Sequence, residues 1–175
     1  MKKTDKKEEY VEMKVTGLTI DPFTNMPIII IKDLKEQNAI PIWIGLIEAS
    51  AIATELEQIQ LSRPMTHDLL KNLLEALEAK VNRIDICDLR DNTFFANIHL
   101  THNKKNFVID SRPSDAIALS LRTNAPLFVA KSVVEKSRRI DLAKEGSKIE
   151  EKDKKEKWAE ILENLSPEDF GKYKM

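Results

Sequence analysis

The sequence contains one cysteine, Cys87, in 175 residues. A single cysteine excludes an internal disulfide, and such scarcity is typical of proteins from a reducing compartment such as the cytoplasm. Long apolar runs are also missing, since none reaches the roughly 20 residues of a membrane helix. The charged start MKKTDKKEEY lacks the apolar segment of a signal peptide. We therefore expect a cytoplasmic protein without a membrane partner, in which Cys87 is a packing residue rather than a nucleophile.

Neither sign of charge dominates the chain. It carries 28 Lys and Arg against 29 Asp and Glu, a net charge of −1. Within residues 1–143 the two signs balance at 20 each. The basic field that gives non-specific affinity for nucleic acid is therefore absent. This balance argues against a dedicated nucleic-acid-binding module, but less against an enzyme that reaches nucleic acid through a bound metal ion.

Motifs for the common cofactors and reactions are missing. The chain contains no GxGxxG, P-loop, HExxH, CxxC or GxSxG, so nucleotide cofactors and serine hydrolysis are not indicated. Its three histidines, His67, His99 and His102, are scattered, which argues against a histidine-rich metal site. Any metal would have to bind mainly carboxylates, and such ligands suit Mg²⁺ or Mn²⁺.

The apolar pattern predicts an α+β domain. Short β-branched or alternating runs predict strands at residues 11–15, 28–31, 39–44, 81–89, 93–102 and from residue 107. The first three are so close together that they indicate an antiparallel meander, and Pro41 marks an edge or a bulge. We expect mainly antiparallel sheet with two or three packed helices, plus a charged C-terminal helical tail.

Two helices are predicted between the third and fourth strands. Residues 46–61 carry an apolar stripe of Ile52, Leu56 and Ile59. Thr66 can cap a second helix at residues 67–80. The second helix has a leucine stripe that we expect in the core, formed by Leu69, Leu70, Leu73, Leu74 and Leu77.

The starts of these helices carry polar residues that are candidates for a functional site. Glu48 follows Gly45 and is either a solvated residue or a ligand or general base. His67 and Asp68 could bind a metal or move protons, or Asp68 could simply stabilise the helix dipole.

The polar turn DSRPSD at residues 110–115 joins an apolar strand to an amphipathic helix. Pro113 suits the first helical position, and Asp115 then falls near the third, close to free backbone N–H groups. In one interpretation Asp115 caps the helix and Arg112 pairs with Asp110. In the other, the loop presents these groups for chemistry.

A similar acidic turn lies at residues 88–92, DLRDN, between two predicted strands. Asp91 and Asn92 suit the positive φ angles of a tight hairpin. Asp88 and Asp91 either only build this turn or form an acidic pair with Arg90 between them.

We divide the chain into a flexible N-terminus (1–10), a domain (11–135), a charged linker or helix (136–157) and an amphipathic C-terminal helix and tail (158–175). Eleven of the fourteen residues 144–157 are charged. Beyond them, Trp158, Ile161, Leu162 and Leu165 recur at helical spacing. We expect this apolar face to dock on the domain, a second subunit or a partner, and we expect a homo-oligomer.

Four blocks of the sequence resemble the bifunctional nuclease domain family. They are IPIWIGLIEA (40–49), RPMTHDLL (63–70), DLRDNTFFA (88–96) and DSRPSDAIAL (110–119). The resemblance extends over about residues 11–134 and is specific because all four blocks occur in this order and at these distances. It implies a compact α+β fold, a small cytosolic protein and hydrolysis of both DNA and RNA.

The polar residues of these blocks define the site prediction. The predicted catalytic residues are Glu48, His67, Asp110, Arg112 and Asp115. The predicted ligands of Mg²⁺ or Mn²⁺ are Asp88, Asp91, Asp110 and Asp115, and the predicted phosphate-binding residues are Arg90 and Arg112. The metal would lower the pKa of a bound water, the arginines would hold phosphate oxygens, and Glu48 or His67 would relay the proton.

The alternative is a non-enzymatic oligomeric or regulatory binding module. A carboxylate-based catalytic site needs two or three acids within about 4–6 Å of a common point. In a binding module, each acid would instead pair with a neighbouring arginine or backbone amide.

Overall fold

A computed structural model describes residues 8–142, with side chains described through Ser137. The elements follow in the order β1 (Tyr10–Ile20), β2 (Pro27–Asp33), β3 (Ala39–Trp43), α1 (Leu46–Leu56), α2 (Thr66–Ala76), β4 (Lys80–Arg90), β5 (Thr93–His102), β6 (Lys105–Ser111), α3 (Pro113–Thr123), β7 (Leu127–Ala130) and α4 (Lys131–Leu142).

The seven strands form one sheet in the order β3-β2-β1-β7-β4-β5-β6. The β4–β7 pair is parallel, and the other neighbouring pairs are antiparallel. The predicted meander is β1–β2–β3, and Pro41 does lie in an edge strand, where a missing N–H is tolerated. The predicted α+β class is therefore confirmed.

The core lies between the sheet and the helices. Its fully buried large side chains are mostly the β-branched residues of the predicted strands and helices: Ile29, Ile31, Ile40, Ile52, Ile84, Ile86, Ile117, Leu119, Val129 and Val133. Buried alanines, among them Ala53 and Ala116, lie in α1 and α3, and these two helices pack directly against each other. Small side chains permit this approach, which brings the starts of α1 and α3 together.

Two helices end earlier than predicted. α1 stops at Leu56 because Gln58 adopts a left-handed φ of 54°. Ile59 consequently lies in the following loop and is exposed. Thr66 is the first residue of α2 rather than its cap, which is Met65. α2 ends at Ala76, shortly before Glu78 adopts the same left-handed conformation.

The prediction that the leucine stripe of α2 is core is wrong for four of its five members. Leu69, Leu70, Leu73 and Leu77 are 51%, 39%, 51% and 62% exposed. Only Leu74 packs against the core. The inward side of α2 instead carries half-buried His67, Asp68 and Lys71. Polar contacts to α3 set the rotation of this helix, and its apolar side, which we call the leucine face (Leu69, Leu70, Leu73 and Leu77), points outward.

The remaining sequence predictions concern the ends of the chain. α4 begins at Lys131 and runs past the predicted domain boundary at residue 135 to Leu142. The predicted amphipathic helix at residues 158–175 lies outside the described residues. Among residues 8–142, no helix has the length and apolar character needed to cross a membrane.

Candidate functional site

The candidate site is built at the starts of two helices that each follow a strand. α1 begins after Gly45 and α3 begins after Arg112, with Pro113 in its first turn as predicted. Glu48 and Asp115 lie in the respective first turns. Both side chains are therefore close to the positive ends of helix dipoles.

Arg112 joins the two helix starts. Its Nη1 donates to Oε1 of Glu48 at 2.8 Å, across 64 residues of sequence. Its Nε and Nη2 donate to Oδ2 and Oδ1 of Asp115 at 2.7 and 3.1 Å. This bidentate geometry fixes the plane of the guanidinium group. The interpretation in which Asp115 caps the helix is wrong, because none of the described side chains forms a capping hydrogen bond at the start of α3.

His67 adds a third helix to this group. Its Nε2 lies 3.1 Å from Oδ1 of Asp115. The hydrogen bond from His67 is the largest cause that lowers the pKa of Asp115 to about 2, and the bonds and charge of Arg112 contribute as well. Asp115 is consequently a carboxylate at all ordinary pH values. We call Glu48, His67, Arg112 and Asp115 the Arg112 cluster.

Gly45 makes room for Glu48. A Cβ atom at Gly45 would lie 2.2 Å from Oε2 of Glu48, far inside van der Waals contact. The φ of Gly45 is −73°, which any residue can adopt. Glycine therefore leaves space for this position of the Glu48 carboxylate, whereas backbone freedom is not required here.

An open cleft of about 360 Å³ lies beside Arg112. Its lining combines apolar and aromatic side chains with polar groups: Ile42, Trp43, Ile44, Gly45, Glu48, Asn92, Thr93, Phe94, Arg112, Pro113 and Ser114. Trp43 is held in place because its Nε1 donates to Oδ2 of Asp21 at 2.9 Å. A guanidinium next to aromatic rings is a combination that can hold a phosphate and stack a base.

Arg112 keeps donors for a ligand. A guanidinium has five N–H groups, and the contacts to Glu48 and Asp115 use three of them. The side chain is 66% exposed. It can therefore bind an anion from the cleft while it stays paired to both acids.

The second acidic turn forms a separate group, which we call the Asp88 cluster (Asp88, Arg90 and Lys136). Asp88 accepts from Nζ of Lys136 at 3.0 Å and pairs with Nε of Arg90 at 2.8 Å. The hydrogen bond from Lys136 is the main cause that lowers the pKa of Asp88. Arg90 also lies over the ring of Phe95, 4.2 Å from its centre.

The other predicted acids do not join the Arg112 cluster. Asp91 adopts a φ of 47° in the β4–β5 hairpin, as its turn role predicts. Asp110 is paired in register with Asn97, whereas its neighbour Ser111 pairs with buried Ala96. Successive strand residues alternate between faces, so Asp110 points away from the core side of the sheet. No ion pair links it to Arg112 within the described side chains.

Asp68 has a structural partner that the sequence analysis missed. Nε of buried Arg122 donates to Oδ1 of Asp68 at 2.5 Å, and Nη2 donates to the carbonyl of Ala51 at 3.0 Å. Burial raises the pKa of Asp68, but the bonds from Arg122 and from the amide of Met65 outweigh it and lower the pKa. Arg122 thus connects α1, α2 and α3, which places His67 beside Asp115.

The described residues do not form the expected metal centre. Among residues 8–142, no three His, Cys, Asp or Glu side chains are close enough together to hold an ion. Glu48 and Asp115 are near each other only through Arg112, whose positive charge occupies the position between them. This donor set does not fit Mg²⁺ or Mn²⁺, and metal use stays a prediction.

Comparison with known proteins identifies the family. The model of the bifunctional nuclease domain matches residues 29–141. The chain belongs to this family. The uncharacterized proteins MT1877 and Rv1829 of Mycobacterium tuberculosis, from strains CDC 1551 / Oshkosh and ATCC 25618 / H37Rv, are each 33% identical to it over 162 residues. Each alignment covers 91% of this chain and 97% of the relative. The resemblance of the four blocks to a bifunctional nuclease domain is therefore confirmed.

Proposed function

We propose that the cleft beside Arg112 binds single-stranded nucleic acid and hydrolyses its phosphodiester bonds. The observation that carries this proposal is the position of Arg112, which is fixed by two acids yet faces an aromatic-lined cleft with donors to spare. Membership of a bifunctional nuclease domain family supports it. Because phosphate contacts read neither sugar nor base, one such site can accept both DNA and RNA.

The size of the cleft favours a single strand. Its volume of about 360 Å³ is at the low end for small-molecule pockets and accommodates about one nucleotide rather than a duplex. Phe94 and Trp43 line the cleft, and we expect one unpaired base to stack on one of these rings. Base stacking of this kind is tolerant of sequence.

In the proposed reaction, Arg112 holds the scissile phosphate and neutralises the charge that develops on its oxygens. Glu48, which lines the cleft, takes a proton from the attacking water as the general base. The water oxygen forms a bond to phosphorus, the phosphorus bond to the leaving sugar oxygen breaks, and solvent protonates that oxygen. His67 does not line the cleft, so it acts by positioning Asp115 and, through it, Arg112.

Cleavage of end-labelled single-stranded RNA and DNA tests this function, with the matching duplexes as comparison. We expect both single strands to be cut, the duplexes to be cut more slowly, and Glu48→Gln to lose cleavage while it still binds the strands. Equal cleavage by the Glu48→Gln variant would place the reaction elsewhere. Parallel reactions with EDTA, Mg²⁺ or Mn²⁺ test the metal prediction independently.

A second candidate function is a binding module without hydrolysis. Its supporting observation is that Glu48, Asp115 and Asp88 are each paired with a neighbouring cation, as expected for structural ion pairs. Strand binding that depends on Arg112, with no cleavage under any metal condition, would establish this alternative.

A further inference from the structure

The leucine face of α2 is an apolar surface that the candidate site does not explain. Four leucines, 39–62% exposed, lie on its outer side. The helix cannot bury them by rotating, because its inner side is bound through His67 to Asp115 and through Asp68 to Arg122. Contiguous apolar patches of this kind usually mark a contact surface.

The chain itself provides a segment that fits this surface. Trp158, Ile161, Leu162 and Leu165 are spaced to form one apolar stripe of a helix. At a rise of 1.5 Å per residue, this stripe is about 10 Å long, and the stripe from Leu69 to Leu77 is about 12 Å long. Two short helices with matched stripes can pack against each other and remove both apolar faces from water.

The connection is long enough. α4 ends at Leu142, which leaves residues 143–157 between it and Trp158. Fifteen extended residues span about 50 Å. A folded domain of this size has a radius of gyration of about 14 Å. The connection is therefore long enough to reach α2 from any point on the domain surface. Residues 144–157 are highly charged, so we expect this connection to stay in solvent rather than in the core.

We propose that residues 158–165 pack as an amphipathic helix on the leucine face of α2 of the same chain. The segment covers Leu69, Leu70, Leu73 and Leu77 and holds the outer side of the helix that supplies His67 to the Arg112 cluster. A second copy of the chain is the competing occupant, and the experiment separates the two.

Tryptophan fluorescence tests the proposal in the full-length chain. In a Trp43→Phe background, Trp158 is the one remaining tryptophan. We expect its emission to be blue-shifted relative to a synthetic peptide of residues 155–168. We expect Leu70→Ser/Leu73→Ser to return the emission to that of the peptide. The matched control is Val108→Ser/Ile109→Ser in β6, where both residues are similarly exposed, and it should leave the emission unchanged.

Concentration and mass identify the occupant. We expect the blue shift to persist over a hundredfold dilution with a monomeric mass in sedimentation. Two results would overturn the proposal. One is Trp158 emission like that of the peptide when the leucine face is unsubstituted, and the other is Trp158 emission that does not change with Leu70→Ser/Leu73→Ser. A dimeric mass, with a blue shift that is lost when dilution dissociates the dimer, would assign the leucine face to a second copy instead. Circular dichroism of each variant shows whether its fold is intact.

Discussion

Two turns in this protein have almost the same chemistry but very different surroundings. The Arg112 cluster and the Asp88 cluster each place an arginine beside an aspartate at the end of a strand. In the first, packing of α1, α2 and α3 brings together residues that are up to 67 positions apart, next to an open cleft. In the second, Asp88 pairs with Arg90 two residues away and with Lys136 of α4. The comparison shows that the junction of three helices and the adjacent cleft, and not the turn itself, distinguish the candidate site.

The largest expected effect is the difference in activity between variants of Arg112 and Arg90. Arg112→Ala removes the phosphate donor, and we expect kcat/KM on single-stranded oligonucleotides to fall about 10²–10³-fold, typical of a lost donor to transition-state charge. Arg90→Ala is the matched control, because the two side chains are 63% and 66% exposed, and it should change kcat/KM less than about threefold. Equal losses in both variants would erase the distinction between the clusters.

The next largest expected effect is a difference in unfolding free energy between a variant at the helix junction and a variant in the Asp88 cluster. Arg122→Met leaves Asp68 without its buried partner, and we expect the free energy of unfolding to fall by about 3 kcal/mol. Lys136→Met removes an exposed contact to Asp88 and should cost less than about 1 kcal/mol. Urea denaturation at pH 7 measures both values. A larger loss for Lys136→Met would show that the hairpin, and not the helix junction, is the better-anchored region.

A smaller effect should follow from filling the space at Gly45. Gly45→Ala forces the carboxylate of Glu48 to move, and we expect about a tenfold loss of cleavage, or about 1.4 kcal/mol of transition-state stabilisation. Stability should change little, because the φ of Gly45 suits alanine.

The control for this prediction is the double variant Gly45→Ala/Glu48→Gln. If Gly45 acts through Glu48, the double variant should be no worse than Glu48→Gln alone. Additive losses would mean that alanine disturbs the cleft by another route.

The smallest effect concerns acid pH. The pKa of Asp115 is lowered to about 2 from an ordinary value of 3.8. Its ionised form therefore stabilises the folded state fully above about pH 4, and this stabilisation is lost as pH falls toward 2. We expect the difference in unfolding free energy between the unsubstituted chain and Asp115→Asn to shrink as pH falls below about 4.

The same titration with Asp88→Asn compares the Asp88 cluster with the Arg112 cluster. The pKa of Asp88 is also lowered, chiefly by Lys136. The difference in unfolding free energy between the unsubstituted chain and Asp88→Asn should therefore also shrink as pH falls. His67→Gln should reduce the shrinkage for Asp115 because it removes the main cause of the low pKa. A difference that grows in acid would contradict the assigned ion pairs.

Local patterns explain why much of the fold was predictable. The β-branched runs of the first three strands are too short and too apolar for exposed helices, and Asp91 and Asn92 specify a hairpin through their positive φ angles. Pro113 and Asp115 occupy the predicted first-turn positions of α3. These features depend on neighbouring residues, which the sequence displays directly.

The site was less predictable because it depends on long-range packing. Nothing near Arg112 indicates that it pairs with Glu48 rather than Asp110. The leucine stripe of α2 reads as core because a pattern specifies an apolar side but not the direction that it faces. Buried Arg122, which sets that direction, lies 54 residues from its partner Asp68. The roles assigned to the predicted site residues, the metal and the homo-oligomer stay predictions.

The most direct test is a crystal structure of the full chain with a phosphorothioate-linked dinucleotide, a substrate analogue that resists hydrolysis. We expect the phosphorothioate group within hydrogen-bonding distance of Arg112 and one base stacked on Phe94 or Trp43. A dinucleotide whose phosphorothioate group lies on Arg90 and Lys136, with the cleft beside Arg112 empty, would contradict the proposed site.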